Sequence, residues 1–239
     1  MLNATELLRQ DRFIDLWNRY CGFIDLDISM FMKIQEVLLL EQLKLLNSSK
    51  LGKKFLGSFI PESISEFRNK VSLTTYSDYL GILDKKDEAA LPEKPLYWAM
   101  TTGKPGEYDE KWAPYPYRMV LNNARAFLGA VIMSTAYGRG KFKFGYGKQF
   151  LYGMAPLPYI TGTIPYGLKY EYEFDYMPHY EIAQKLSFEE RNLEGFELGF
   201  QKGIDYFFGV ASVLVKVGNS FPNYLKTLKL STLLKQPKK

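Results

Sequence analysis

The residues best suited to chemistry sit close together in the run Thr101-Thr102-Gly103-Lys104-Pro105-Gly106, with Lys111 five positions further on. Two hydroxyls can donate hydrogen bonds, and Gly103 and Gly106 let backbone N–H groups approach a ligand closely. Lys104 or Lys111 supplies a point charge. Such a set suits a phosphate. Taken alone, the run is equally a strand-to-helix turn in which Gly and Pro serve geometry.

Other chemistries are narrowed by composition. With one histidine, His179, and one cysteine, Cys21, a zinc site built from those ligands is excluded, and so is an internal disulfide. A Ser-His-Asp or Cys-His site would have to use His179. In Met177-Pro178-His179-Tyr180 that residue reads as a helix start or a surface side chain. No catalytic residue and no metal ligand is assigned. Glu171, Glu173 and Asp175 alternate; on a strand they would share one face, either as a cation site or, more cheaply, as a solvated face. The tyrosines from Tyr146 to Tyr176 could stack on bases, but the acids among them argue against a nucleic-acid groove and for core or loop roles.

Net charge is +5, from 31 basic and 26 acidic residues, and the excess gathers in the tail at Lys226, Lys229, Lys235, Lys238 and Lys239. A tail of this kind reads as a solvated terminus. Met1–Gln10 has no apolar signal core, and no apolar run nears the roughly 20 residues of a membrane span. The expectation is a soluble, cytoplasmic chain with no nucleic-acid partner and no membrane span.

These residues must be positioned by regular elements. Leu7, Phe13, Ile14, Trp17 and Tyr20 recur at helical spacing. A second helix starts near Asp27 or Ser29 and runs to about Leu46, with an apolar stripe at Phe31, Ile34, Val37, Leu38 and Leu45 expected to pack into the core. Ser63/Glu66, Thr75/Asp78 and Ser187/Glu190 are capping boxes. Leu96–Met100 reads as a strand. After the Thr101 turn, Pro114 and Pro116 begin a helix to about Ala136, closed by Gly138 and Gly140. Residues 141–148 read as a basic loop, Gln149–Gly153 as a strand, and residues 154–178 as loop with short extended pieces. A helix to Lys202, a strand at Ile204–Phe208 and a helix bearing Val210, Val213, Leu214 and Val217 complete the chain. The alternation predicts an α/β fold. Residues 1–95 form a helical N-terminal segment, 96–220 an α/β subdomain with flanking helices about a mixed sheet, and 221–239 a basic tail.

Four stretches, in order, resemble the adenylate-forming enzymes, and among them the plant acyl-acid amido synthetases and their microbial relatives, which are also similar to phenylacetate–CoA ligases. Asn47–Phe55 resembles the segment after that family's first long helix. Phe67–Tyr79 resembles its Phe-Arg-x-x-Val-Pro-Leu-x-x-Tyr-x-Asp-Tyr stretch. Thr101–Pro116 resembles its phosphate loop, and Ile204–Val217 its later strand and helix. The resemblance implies that Thr101, Thr102, Gly103, Lys104, Gly106 and Lys111 face the phosphates of ATP and Mg²⁺. Lys111 matches the family lysine better than Lys104 does. It further implies that Tyr159, Thr161 and Tyr166 line a pocket for a carboxylic-acid substrate, and that the chemistry is acyl-adenylate formation followed by transfer to an amine or thiol.

Two departures are plain. Trp98-Ala99-Met100 lacks hydroxyls where the family has a further Ser/Thr-Gly pair, and Glu107, Asp109 and Glu110 put acids into the loop. Nothing after Val217 resembles the adenine- and ribose-contacting motifs or the mobile C-terminal domain. The implied molecule is therefore the incomplete N-terminal domain of an adenylate-forming enzyme, inactive alone and completed by a missing C-terminal segment or a partner chain. The alternative is a non-catalytic binding or structural module of the same fold that acts through a partner.

Overall fold

The computed structural model describes residues 2–102 and 110–227. In chain order the helices and strands are α1 (Ala4–Arg9), α2 (Phe13–Tyr20), α3 (Ile28–Asn47), α4 (Lys50–Leu56), α5 (Ile64–Lys70), α6 (Leu80–Leu83), β1 (Tyr97–Thr102), β2 (Glu110–Tyr115), α7 (Tyr117–Ser134), β3 (Ala136–Gly138), β4 (Lys141–Phe142), β5 (Gln149–Gly153), α8 (Thr163–Leu168), β6 (Asp175–Met177), α9 (Tyr180–Ala183), α10 (Phe188–Lys202), β7 (Tyr206–Gly209) and α11 (Ala211–Thr227). The fold is mixed α/β. Its contacts form two units, Phe13–Phe142 and the pair Met1–Arg12 with Lys143–Lys239, a division different from one near residue 95.

Asp11, just after α1, has a φ of 52°, a left-handed value that Asp tolerates. In the unit Phe13–Phe142 the long helix is α3. Asp27 accepts the Met30 N–H at 2.7 Å and so caps α3, as its sequence foretells. The expected core stripe of α3 is not in a core. Phe31, Ile34, Val37 and Leu38 are exposed, and Leu43 alone is buried in this helix. The reason is packing, since α3 meets α4 and α5, and Leu43 lies toward its C-terminal end. Helix α7 lies on α2 so closely that a Cβ on Gly129 would come within 2.5 Å of the Tyr20 carbonyl oxygen.

Strands β1 and β2 form an antiparallel ribbon in the register Tyr97↔Tyr115 to Thr102↔Glu110. The expected direct passage from β1 into a helix is thus replaced by β2. Pro116 caps α7, which begins at Tyr117 and ends at Ser134. Residues 136–142 make a second, shorter ribbon from β3 and β4.

The other unit is built on a three-stranded parallel sheet in the order β6-β5-β7. On it rests α10, whose buried face is Arg191, Asn192, Gly195, Phe196 and Gly199. A Cβ on Gly195 would approach the Met177 carbonyl oxygen to 2.8 Å, so glycine there sets how near the helix comes to β6. Phe144, Phe150, Tyr172, Phe174 and Tyr206 form an aromatic cluster with centroid separations from 4.4 to 6.3 Å. Of the tyrosine-rich segment, Tyr152 and Tyr172 are buried, whereas Tyr146 and Tyr159 are exposed. Residues 154–178 are more regular than expected, carrying α8 and β6. The alternating acids do not share a strand: Asp175 begins β6, Glu171 is buried and Glu173 pairs with Arg9 at 3.2 Å. Among the described residues no cluster could hold a metal ion, and no helix is long and apolar enough to cross a membrane.

Candidate functional site

The hairpin places Thr101 directly opposite Lys111. Opposed residues of an antiparallel pair project to the same face, so the hydroxyl and the ammonium share one side of the ribbon near its Thr102/Glu110 end. Residues 103–109 lie outside the described residues, and with them Gly103, Lys104 and Gly106. Thr102 ends β1 opposite Glu110.

What braces this end comes from far back in the chain. The Tyr76 hydroxyl accepts the Trp112 N–H at 2.8 Å and donates to the Trp112 carbonyl at 3.2 Å. Both backbone groups point away from β1, so Tyr76 closes the outer edge of β2 where another strand would pair. Its ring also lies 5.3 Å from Lys111 Nζ, a cation–π distance, and Lys86 Nζ stands 3.2 Å from the Trp112 ring. Tyr76 is held in turn by the Thr75/Asp78 box, in which Asp78 accepts the Thr75 N–H at 2.7 Å and the Thr75 hydroxyl at 3.1 Å. Those two hydrogen bonds hold the Asp78 carboxyl below the usual carboxylate range. Lys54 donates to the Asp78 carbonyl. Residues 54, 76, 78 and 111, which belong to three separate sequence stretches, thus meet at one end of the ribbon.

In the sheet unit, the three proposed acyl-pocket residues are placed differently from one another. Thr161 donates to the Ala155 carbonyl at 2.9 Å, and its own carbonyl accepts the Tyr152 hydroxyl at 2.5 Å. Tyr159 is partly exposed, and Tyr166 lies at the surface side of α8 with Lys169 Nζ 3.8 Å from its ring. A cavity does open beside this segment, but Gly162 and Pro165 form its wall there, opposite Tyr152, Tyr176, Tyr180 and Arg191. Burial pushes the Tyr180 phenol up to about 12 and the Tyr152 and Tyr176 phenols higher still, so all three stay neutral donors.

Arg191 and Tyr176 have no counterpart in the sequence-level site. A signal for Arg191 exists: it shares a helix face with Gly195 and Gly199, and a cation on a buried face is unusual. His179 caps α9 at the surface, its Nδ1 2.5 Å from Glu181, in keeping with a helix-start role. Comparison with protein-family models, with curated proteins and with solved structures finds no match for this chain.

Proposed function

We propose that the hairpin of β1 and β2 is a nucleotide-phosphate site and that the chain is the N-terminal portion of an acyl-adenylating ligase. The observation that carries this is the meeting of Phe67–Tyr79 with Thr101–Pro116. These are two of the stretches that resemble the adenylate-forming family, and they touch through Tyr76, Trp112 and Lys111. A rigid edge behind the loop is what phosphate binding asks for, because catalysis by charge stabilisation depends on donors held in place beforehand.

In this reading Thr101 donates to a phosphate oxygen and Lys111 neutralises its charge. Gly103, Lys104, Gly106 and Thr102 would contribute the loop around it, and a bound Mg²⁺ would supply further positive charge to the phosphates. A carboxylate oxygen attacks the α-phosphorus of ATP, the bond to pyrophosphate breaks, and an acyl-adenylate forms. An amine or thiol then takes the acyl group and releases AMP. A further segment or partner chain supplies the rest of the nucleotide site, so the chain by itself is inactive in catalysis. Lys111→Ala is expected to weaken Mg-ATP binding by at least tenfold, since a charge-assisted contact is worth about 1.5–3 kcal/mol. Titration calorimetry checks this, and absence of any Mg-ATP binding by the unaltered chain would sink the site.

A second reading is favoured by the exposed apolar residues of α3 and by Phe208, Val210, Leu214 and Val215 at the β7–α11 end. In it the chain is a binding module whose surfaces are covered by a partner. A clean monomer in size-exclusion that binds no hydrophobic dye would count against both readings.

A further inference from the structure

The cavity beside β6 holds an unusual charge. Arg191 is 3% exposed, yet among the described residues no carboxylate pairs with it. The acids nearest in sequence are committed elsewhere: Glu189 pairs with Lys216 at 3.2 Å, and Glu190 accepts the Ser187 N–H at 3.0 Å. One terminal nitrogen of Arg191 donates to the Met154 carbonyl, and its Nε has no partner. The Tyr176 hydroxyl is likewise buried and without a partner. Both side chains line the same cavity.

A guanidinium cannot shed its charge, so its removal from water must be answered by hydrogen bonds and by negative charge. One carbonyl answers the first need in part, and the Phe188 ring, its centroid 5.7 Å from the guanidinium carbon, adds only a weak quadrupole toward the second. The remaining lining includes the polar side chains of Tyr152, Tyr180 and Gln184 among apolar ones, and none of it carries negative charge. With a phenol held neutral by burial, Tyr176 offers a proton and no charge of its own. The cavity measures about 20 Å³, enough for one water or a group slightly larger.

We infer that this cavity is a binding site for a small monovalent anion, of formate or chloride size, held by Arg191 Nε and the Tyr176 hydroxyl. Two donors, one of them charged, match the oxygens of a carboxylate head or a single halide. The inference is independent of the hairpin, which lies in the other unit, and it survives if Mg-ATP fails to bind.

The test follows the unfolding midpoint of the full chain as sodium formate, and separately sodium chloride, replaces gluconate at constant ionic strength. With the unaltered protein the midpoint is expected to rise and saturate with at least one of the two salts. A response to formate alone assigns the site to carboxylates, and a response to both assigns it to small anions in general. Tyr176→Phe removes one hydroxyl, keeps the ring, and is expected to raise the half-saturating concentration about tenfold. Arg191→Met is expected to abolish saturation, and where it does not fold the tyrosine variant decides alone. No saturable rise with either salt, or an equal rise in the unaltered protein and Tyr176→Phe, would overturn the inference and leave an ordered water as the occupant.

Discussion

At the hairpin, Tyr76 sends one hydroxyl to both backbone groups of Trp112; at the parallel sheet, Tyr176 buries a hydroxyl that meets nothing. The cations differ in the same sense. Lys111 sits half-exposed over the Tyr76 ring, where water and a quadrupole share the cost of its charge, whereas Arg191, beside the Phe188 ring and one carbonyl, is sealed from solvent. The Tyr76 hydroxyl thus finishes a strand edge, whereas the Tyr176 hydroxyl and Arg191 Nε make no hydrogen bond. An unanswered donor is informative because folding rarely tolerates it.

The comparison can be broken most forcefully at the sheet. Phe150 is 1% exposed and packs on Phe174, Tyr152 and Tyr176, so Phe150→Ala is expected to cost about 3–5 kcal/mol in urea unfolding. A loss under 1 kcal/mol would mean that the aromatic cluster is not the core of that unit. Gly129→Ala forces a Cβ toward the Tyr20 carbonyl and is expected to cost about 1–3 kcal/mol through displacement of α7 from α2. At the hairpin, Tyr76→Phe removes a donor and an acceptor from a partly buried edge and should cost about 1–2 kcal/mol. It should also weaken Mg-ATP binding if the brace serves the phosphate loop, and an unchanged affinity would separate the two roles.

The smallest effect concerns Cys21, whose thiol is buried against the Gly129 carbonyl and pushed up by burial to about 11. The raised value means the folded state holds the proton more tightly, so this contribution is present at neutral pH and is lost between about pH 9 and 11. Stability measured across that window should fall less steeply in Cys21→Ala, and the native thiol should resist aromatic disulfide reagents at pH 8 until the chain unfolds.

The legible parts of the fold were those with local causes. Ser63/Glu66 and Ser187/Glu190 each start a helix where their side chains predict, and β5 and β7 emerge from apolar runs bounded by turn residues. Strand β2 was illegible because Pro114 and Pro116 imitate a helix start. Pro114 nevertheless costs the ribbon nothing. It stands two residues from Trp112, whose N–H points outward to Tyr76, so its missing donor falls on the outer edge as well. The exposure of α3 was illegible for a different reason: periodicity reports a face, not what covers it. In the candidate sites, the Thr101–Lys111 pairing followed from a strand that was not foreseen. The Arg191 cavity depended on residues brought from β5, β6 and α10, which no spacing links.

The clasp on the N-terminal helix has a consequence for how the chain comes together in time. Ala4 and Thr5 donate to the Glu171 carbonyl at 2.8 and 3.2 Å, and Glu173 donates back to the Thr5 hydroxyl at 3.0 Å. During synthesis α1 must therefore wait, without these partners, until residues some 165 positions later have followed it, while the stretch from Phe13 to Phe142 already holds its own contacts. The order of birth and the order of completion are opposed, and α1 finds its place after much that is made later than it.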